Sequence, residues 1–306
     1  MYIKKKKRVM QFIKSAKMIP TILLSAAALF TGCSDSTPPP ELITALPFSP
    51  VQFEPAEEWQ NKTVLLEAFS GSECPPCAGV DLALDGLLEA YDRKYLAVLV
   101  YHIPIPGPDP MMTRASHFRA FYYDAYRAPM TFFDGEEKYR GGGREDIAEQ
   151  QFDLYAEEIN IRLYENPKII LEASAVLEND VVTVNFGMNS VLENAEYNIV
   201  LAQKEVEYAG RNRILSHKMV VKHHETFEPG AERSGEMTIH VQDVEETGKN
   251  WLENVERNYA PYTFKEKRYA IDRSQLAVVF FVQDKTTHKV YNAVFTDVVV
   301  KEGGTR

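Results

Sequence analysis

The stretch Leu65–Leu88, LLEAFSGSECPPCAGVDLALDGLL, decides how the rest of the chain is read. Two cysteines, Cys74 and Cys77, enclose two prolines where a short apolar run gives way to a helical pattern. Upstream, TVLLEAF (63–69) is almost continuously apolar, as expected of a strand covered on both faces. Downstream, Val80, Leu84, Leu87, Leu88 and Tyr91 recur at helical spacing, while Asp81, Asp85 and Glu89 fall off that stripe. YLAVLVYHI (95–103) reads as a second buried strand, so the order is β-α-β, a parallel pair with a right-handed crossover. A Cys-x-x-Cys pair at such a place can be a redox couple, half of a metal site or an inert staple.

The next 60 or so residues continue in the α/β style. SHFRAFYYDAY (116–126) is expected as a helix. APMTFFDGEEKYRGG (128–142) is expected as a hairpin turning at Asp134-Gly135, because that dipeptide tolerates the positive φ angles of a tight turn. REDIAEQQFDLYAEEINIRLYEN (144–166) carries Ile147, Leu154, Tyr155, Ile159 and Leu163 along one helical side.

A strand, then Cys74-Pro75-Pro76-Cys77 opening a helix, then a proline before a strand that ends in Asp-Gly, resembles the thioredoxin fold. LLEAFSGSECPPC, YHIPIPGPDPM and APMTFFDG are similar to segments of bacterial thioredoxin-fold lipoproteins related to an outer-membrane-protein family with a β-rich C-terminal domain. The resemblance runs over about residues 63–166 and is much looser beyond. It implies that Cys74 is the exposed nucleophile, Cys77 the resolving thiol, and Pro129 a cis proline facing the disulfide. Glu73 stands where thioredoxins carry tryptophan, and Met130 follows the proline where threonine is common. Glu67, seven residues before Cys74, either assists proton transfer, as a buried acid does in thioredoxins, or is paired to a nearby Lys or Arg.

Thiol exchange suits the pair on its own chemistry, because a helix N-terminus favours a thiolate and a second thiol can release a mixed disulfide. Neither Pro75 nor Pro76 has an N–H to offer that thiolate, and Glu73 adds like charge, which implies a reductase- or isomerase-like poise. A structural zinc site wants four ligands, and the chain has three cysteines in all. A copper-handling protein could recruit His102; His223 and His224 point to opposite faces of a strand and do not chelate together. The reading therefore includes neither metal nor cofactor. The loop IPIPGPDPMMT (103–113), with Pro106, Pro108, Asp109 and Pro110, leaves the C-terminal end of the second strand and is expected as a stiff wall for clients beside the cysteines.

The N-terminus sets the compartment. Lys4 to Lys7 and Arg8 precede an apolar run from Met18 to Phe30, and LFTGC resembles a bacterial lipobox with Cys33 as the lipidated residue. Residues 1–33 are read as a lipoprotein signal, and the proline-rich residues 34–60 as a stiff tether. Removing residues 1–32 takes seven of the 34 Lys and Arg and none of the 44 acids, leaving a formal charge of −17. That balance excludes nucleic acid as a partner. Expected partners are the membrane, through the lipid, and client proteins with thiols or disulfides, plus an unknown redox partner. The expected place is the cell envelope, at the outer membrane facing the periplasm.

Residues 61–166 are thus expected as the thioredoxin-like domain and 167–301 as an all-β sandwich of immunoglobulin-like type, from about seven strand patterns interrupted at 249–262 around Trp251 and Tyr259. Two functions compete: an envelope thiol-disulfide oxidoreductase, and a non-catalytic binding or assembly lipoprotein that keeps the fold as a scaffold.

Overall fold

The computed structural model describes residues 41–59 and 61–301, without the side chains of Glu137 and Lys138; the signal, the lipobox Cys33 and the start of the tether lie outside these residues. The first strand, β1 (Val64–Ser70), is buried along its whole length, as is β2 (Leu96–His102), and the two pair in parallel around α1 (Ala78–Ala90). Next come α2 (Arg114–Tyr122), the hairpin β3 (Met130–Phe133) and β4 (Glu136–Arg140), and α3 (Ala148–Leu163). The hairpin turns where its sequence demands, with Asp134 at φ 46° and Gly135 at φ 81°. Asp134 also accepts from the Leu65 amide (2.8 Å) and from Lys62 Nζ (2.6 Å), tying the turn to the start of β1. Strand order in this half is β4-β3-β1-β2, with β3 antiparallel to β1.

Seven strands follow: β5 (Leu171–Glu178), β6 (Val181–Met188), β7 (Ala195–Glu207), β8 (Ser216–Phe227), β9 (Ser234–His240), β10 (Leu276–Asp284) and β11 (Val290–Val300). They do not form a sheet separate from the first half. β8 joins β2 in parallel at Val100 and Val220, so one eleven-stranded sheet runs β4-β3-β1-β2-β8-β7-β10-β11-β5-β6-β9 through both halves. The described residues belong to one compact unit. The strands are interrupted at 249–262 as expected, and that stretch holds the second half of a helix, α4 (Val241–Asn258), which buries Val241, Val244, Leu252 and Val255.

Side-chain alternation explains how one sheet serves two cores. Val200, Ala202, Ala277, Val279 and Phe281 of β7 and β10 face the same apolar cluster as β1, β2 and α1. Ile199, Leu201, Val278, Phe280 and Val282 face the other way, onto β5, β6 and β9; Phe186 and Phe280 meet at 5.4 Å between ring centroids. The second half is therefore mostly sheet in two layers, one of which is lent to the common sheet.

Candidate functional site

β1 ends at Ser70, and the chain turns through Gly71, Ser72 and Glu73 to deliver Cys74 to a single 3-10 turn, Pro75–Cys77, that opens α1. Prolines are tolerated there because the first-turn amides have no helical partner. Cys74 and Cys77 are joined in a disulfide, Cα to Cα 5.3 Å. The Cys77 amide donates to the Cys74 carbonyl at 2.9 Å, so no N–H in this turn points at Cys74 Sγ from residues 75–77.

Cys74 is not the exposed residue the resemblance implies: it is 1% exposed, and Cys77 0%. Two backbone segments pack on the turn. On one side the Ala128–Pro129 bond is cis, Pro129 is buried, and the Ala128 carbonyl oxygen lies 3.7 Å from Cys74 Sγ. Gly142, after β4, fits between this proline and the turn. A Cβ there would stand 2.4 Å from the Pro76 carbonyl and 2.7 Å from Pro129 Cγ. On the other side is the β7–β8 connection, where a Cβ on Gly210 would stand 2.4 Å from the Ser72 carbonyl. The Asn212 amide donates to that carbonyl at 2.8 Å, and Tyr208 Oη donates to Glu73 at 3.2 Å. This connection is itself strapped down by Ile43, inside the stretch 34–60 expected as a stiff tether: Ile43 bridges Ile214, its amide donating to the Arg213 carbonyl at 2.8 Å, and Leu46 and Phe48 pack on the fold, so this part of the stretch is not a free tether.

Glu67 takes the second of its two expected roles. It is fully buried and held by Arg119 of α2 through two 2.7 Å hydrogen bonds, with Tyr123 Oη donating a third at 2.7 Å. Glu67 and Ser70 lie on opposite faces of β1, and it is Ser70 that reaches the helix carrying the cysteines. Its hydroxyl donates to Asp81 at 2.5 Å, while Asn212 Nδ2 donates to the other oxygen of that carboxylate at 3.3 Å. Burial pushes Asp81 up to about 6 despite these donors. Asp81 is one helical turn beyond Cys77, on its face of α1. In the sequence it falls off the apolar stripe of the helix, and the signal that could have found it is its spacing of four from Cys77.

The proline-rich loop does lie along the Cys turn, but part of it is turned inward. Pro106 is exposed, after a cis bond from Ile105, and Pro108 is half-buried. Asp109 is 0% exposed and Pro110 is buried, with its carbonyl accepting from the Arg268 amide, so these two do not form a wall for clients. Asp109 instead accepts from the Ser72 amide (2.6 Å), the Ser72 hydroxyl (2.8 Å) and the Met111 amide (2.8 Å), and meets His102 Nδ1 at 3.2 Å. Burial alone would raise its carboxyl, but the His102 charge and these hydrogen bonds outweigh burial and hold it at about 2. His102 packs edge-on to His217 (5.2 Å between centroids), and burial, with His102 alongside, pushes His217 down to about 3.

Among the described residues no three His, Cys, Asp or Glu side chains are placed to hold a metal ion together. His224 is engaged by Tyr101 (3.3 Å) and Asn198 (3.0 Å), and His223 by Glu225 (3.3 Å), so the two neighbouring rings have different partners.

No protein-family model matches the chain, and no curated protein matches it in sequence. Solved structures do. HBP35 of Porphyromonas gingivalis superposes with a TM-score of 0.51 at 13% identity, over 80% of this chain and 78% of that one. A protein from Agrobacterium tumefaciens gives 0.46 at 12%, over 83% and 99%. A domain of the outer membrane lipoprotein Omp28 from Porphyromonas gingivalis gives 0.27 at 15%, over 45% and 93%. The likeness to HBP35 shows a shared fold across most of the chain, second half included.

Proposed function

We propose that this chain is an exported, lipid-anchored thiol-disulfide oxidoreductase of the bacterial cell envelope that exchanges electrons with cysteines of client proteins through Cys74 and Cys77. One observation carries the reading: a Cys-x-x-Cys disulfide at the mouth of a helix, with a cis X-Pro carbonyl 3.7 Å from the first sulfur. The β4-β3-β1-β2 order with α1 and α3 supports a thioredoxin-like unit over residues 61–166. The layer β5-β6-β9 packed on β7 and β10 supports an immunoglobulin-like sandwich over 167–301; selection of clients falls to its β7–β8 connection in this reading, supported by the Asn212 amide's hydrogen bond to the Ser72 carbonyl. The lipobox at Cys33 supports lipid attachment in the cell envelope, and Ser34 after it is compatible with the outer membrane.

Starting from the disulfide, a client thiolate attacks Cys74 Sγ, the Cys74–Cys77 bond breaks, and Cys77 leaves as a thiolate that takes up a proton. A second client thiolate attacks the client sulfur of the mixed disulfide, closing the client disulfide and releasing Cys74. Two electrons have passed to the pair. In reverse, the Cys74 thiolate attacks a client disulfide and Cys77 resolves it. With no amide free in the Pro75–Cys77 turn to hold a thiolate, the pair is poised toward the reductase or isomerase side. Asp81, one helical turn beyond Cys77 on α1, has a proton affinity suited to the transfer.

A second reading has its own observation. Cys74 is buried, which fits a scaffold whose disulfide is structural. Replacing Cys77 by Ala distinguishes the two: an exchanger accumulates client proteins covalently on Cys74 that a dithiol releases, and a scaffold accumulates none.

A further inference from the structure

Ser72 is where three parts of the chain meet. Its amide and hydroxyl both go to Asp109 Oδ2, at 2.6 and 2.8 Å, and its carbonyl accepts from Asn212 at 2.8 Å. Two residues on, the Cys74 amide closes the turn onto the Gly71 carbonyl at 3.2 Å. Gly71 is itself packed on Asp109; a Cβ there would stand 3.3 Å from Oδ2. The turn that delivers Cys74 thus rests on one buried carboxylate contributed by the loop after β2.

We propose that Asp109 is a positioning residue of the disulfide: it fixes the Gly71–Cys74 turn by accepting both of Ser72's hydrogen bonds, and its buried negative charge disfavours the Cys74 thiolate. The proposal deepens the thiol-exchange reading and rests on it for its consequence in the cell. The ionised state of Asp109 is supported by four donors that converge on its two oxygens. Other charged or titratable groups face the same turn. Glu73 and Asp81 are acids, His102 and His217 lie behind Asp109, and Arg211 and Lys265 act on Glu73 from outside. None of these is hydrogen-bonded to Ser72. Asp109 is.

Two residues of chain and one hydrogen bond separate the carboxylate from Cys74, a span of about 9 Å. At an effective dielectric near 20, neutralising that charge changes a thiol ionisation constant roughly tenfold. For a thiol mostly protonated at pH 7 the thiolate fraction then rises about tenfold. Lower intrinsic nucleophilicity offsets part of this, leaving alkylation about three- to fourfold faster.

The test uses the reduced full chain and iodoacetamide, with the rate at Cys74 followed against pH by mass spectrometry in a Cys77→Ala background. Asp109→Asn is expected to shift the midpoint of the profile down by about one pH unit. Ser72→Ala leaves the charge in place and removes one hydrogen bond. It is expected to leave the midpoint where it was and raise the plateau at full ionisation about fivefold, the weight of one such bond. An unchanged midpoint in Asp109→Asn, with thermal melting showing that it is folded, overturns the charge effect. An unchanged plateau in Ser72→Ala overturns the positioning, and this arm decides alone if Asp109→Asn does not fold. Neither readout needs a client: failure of client trapping with both shifts present refutes the exchange function and leaves Asp109's role standing.

Discussion

Removing one partner of the Glu67–Arg119 pair should be among the most damaging single changes in the protein. Both side chains are buried, and two parallel 2.7 Å hydrogen bonds join them in the bidentate geometry that suits guanidinium and carboxylate. Tyr123 Oη completes the set by donating to Glu67 and accepting from Arg119 (3.0 Å), and the guanidinium lies over the Tyr123 ring at 4.5 Å. Glu67→Leu or Arg119→Met alone leaves a buried charge with no counterion, and such losses cost about 3–5 kcal/mol. For a chain of this size that corresponds to roughly 6–15 °C in the melting midpoint. The double variant Glu67→Leu, Arg119→Met removes both charges and strands only the Tyr123 hydroxyl, which keeps Gln283 Nε2 at 2.7 Å. It should lie within about 2 kcal/mol of the parent. Urea unfolding followed by circular dichroism, with the m-value held common, measures all four members of the cycle. Single losses under about 1 kcal/mol, or a double variant as unstable as the sum of the singles, would refute the argument that the charges are mutually compensated. Because Glu67 faces α2 and not the cysteines, none of these variants should move the Cys74 ionisation midpoint.

Asp81 gives a pH-dependent prediction. Its folded-state value of about 6 lies above its ordinary 3.8, so the protonated carboxyl stabilises the fold below about pH 4 and that contribution is lost as pH rises through 6. Asp81→Asn should match the parent near pH 4 and exceed it by about 1–3 kcal/mol at pH 7.5, read from urea midpoints; the opposite trend would mean the carboxylate is stabilised where it stands. Gly142→Ala should push the cis-proline segment away from the Cys turn, at a cost of about 1–3 kcal/mol, and should speed native-state reduction of the disulfide by a small dithiol. Cys33→Ser should move the protein from the membrane fraction to the soluble fraction on centrifugation; retention in the membrane would point to another anchor.

What the sequence disclosed follows from the range of the interactions involved. The β-α-β unit around the cysteines, the hairpin at Asp134-Gly135 and the seven strands of the second half depend on neighbours within a few residues, and each is where its pattern puts it. The joining of the halves depends on β2 meeting β8 more than a hundred residues later, and the one buried run in YLAVLVYHI is compatible with any neighbour. Helix α4 was hidden because EMTIHVQ carries a strand pattern across its first residues and Gly248 interrupts it. Within the site, the cysteines and the cis Ala128–Pro129 bond were legible as a motif. Asp81 was not, because a carboxylate beside an apolar stripe looks solvated until Asn212 covers it. Asp109 appeared as one polar residue in a string of prolines; only the folded chain brings Ser72 to it. The burial of Cys74 had no local signal either, since the segments packed on its turn, at Ala128, Gly142 and Gly210, arrive from distant parts of the chain.

That burial also defines the most direct test of the exchange function. The purified oxidised protein is held under native conditions with millimolar dithiothreitol, and newly formed thiols at Cys74 and Cys77 are blocked and counted by mass spectrometry over time, beside hydrogen exchange of the β1 amides as a clock for global opening. If the pair exchanges electrons with clients, its reduction runs far ahead of the global clock, with the mixed-disulfide adduct found on Cys74 and not on Cys77. Reduction only at the pace of global opening, or only after denaturant is added, would contradict the account and leave Cys74–Cys77 as a structural staple.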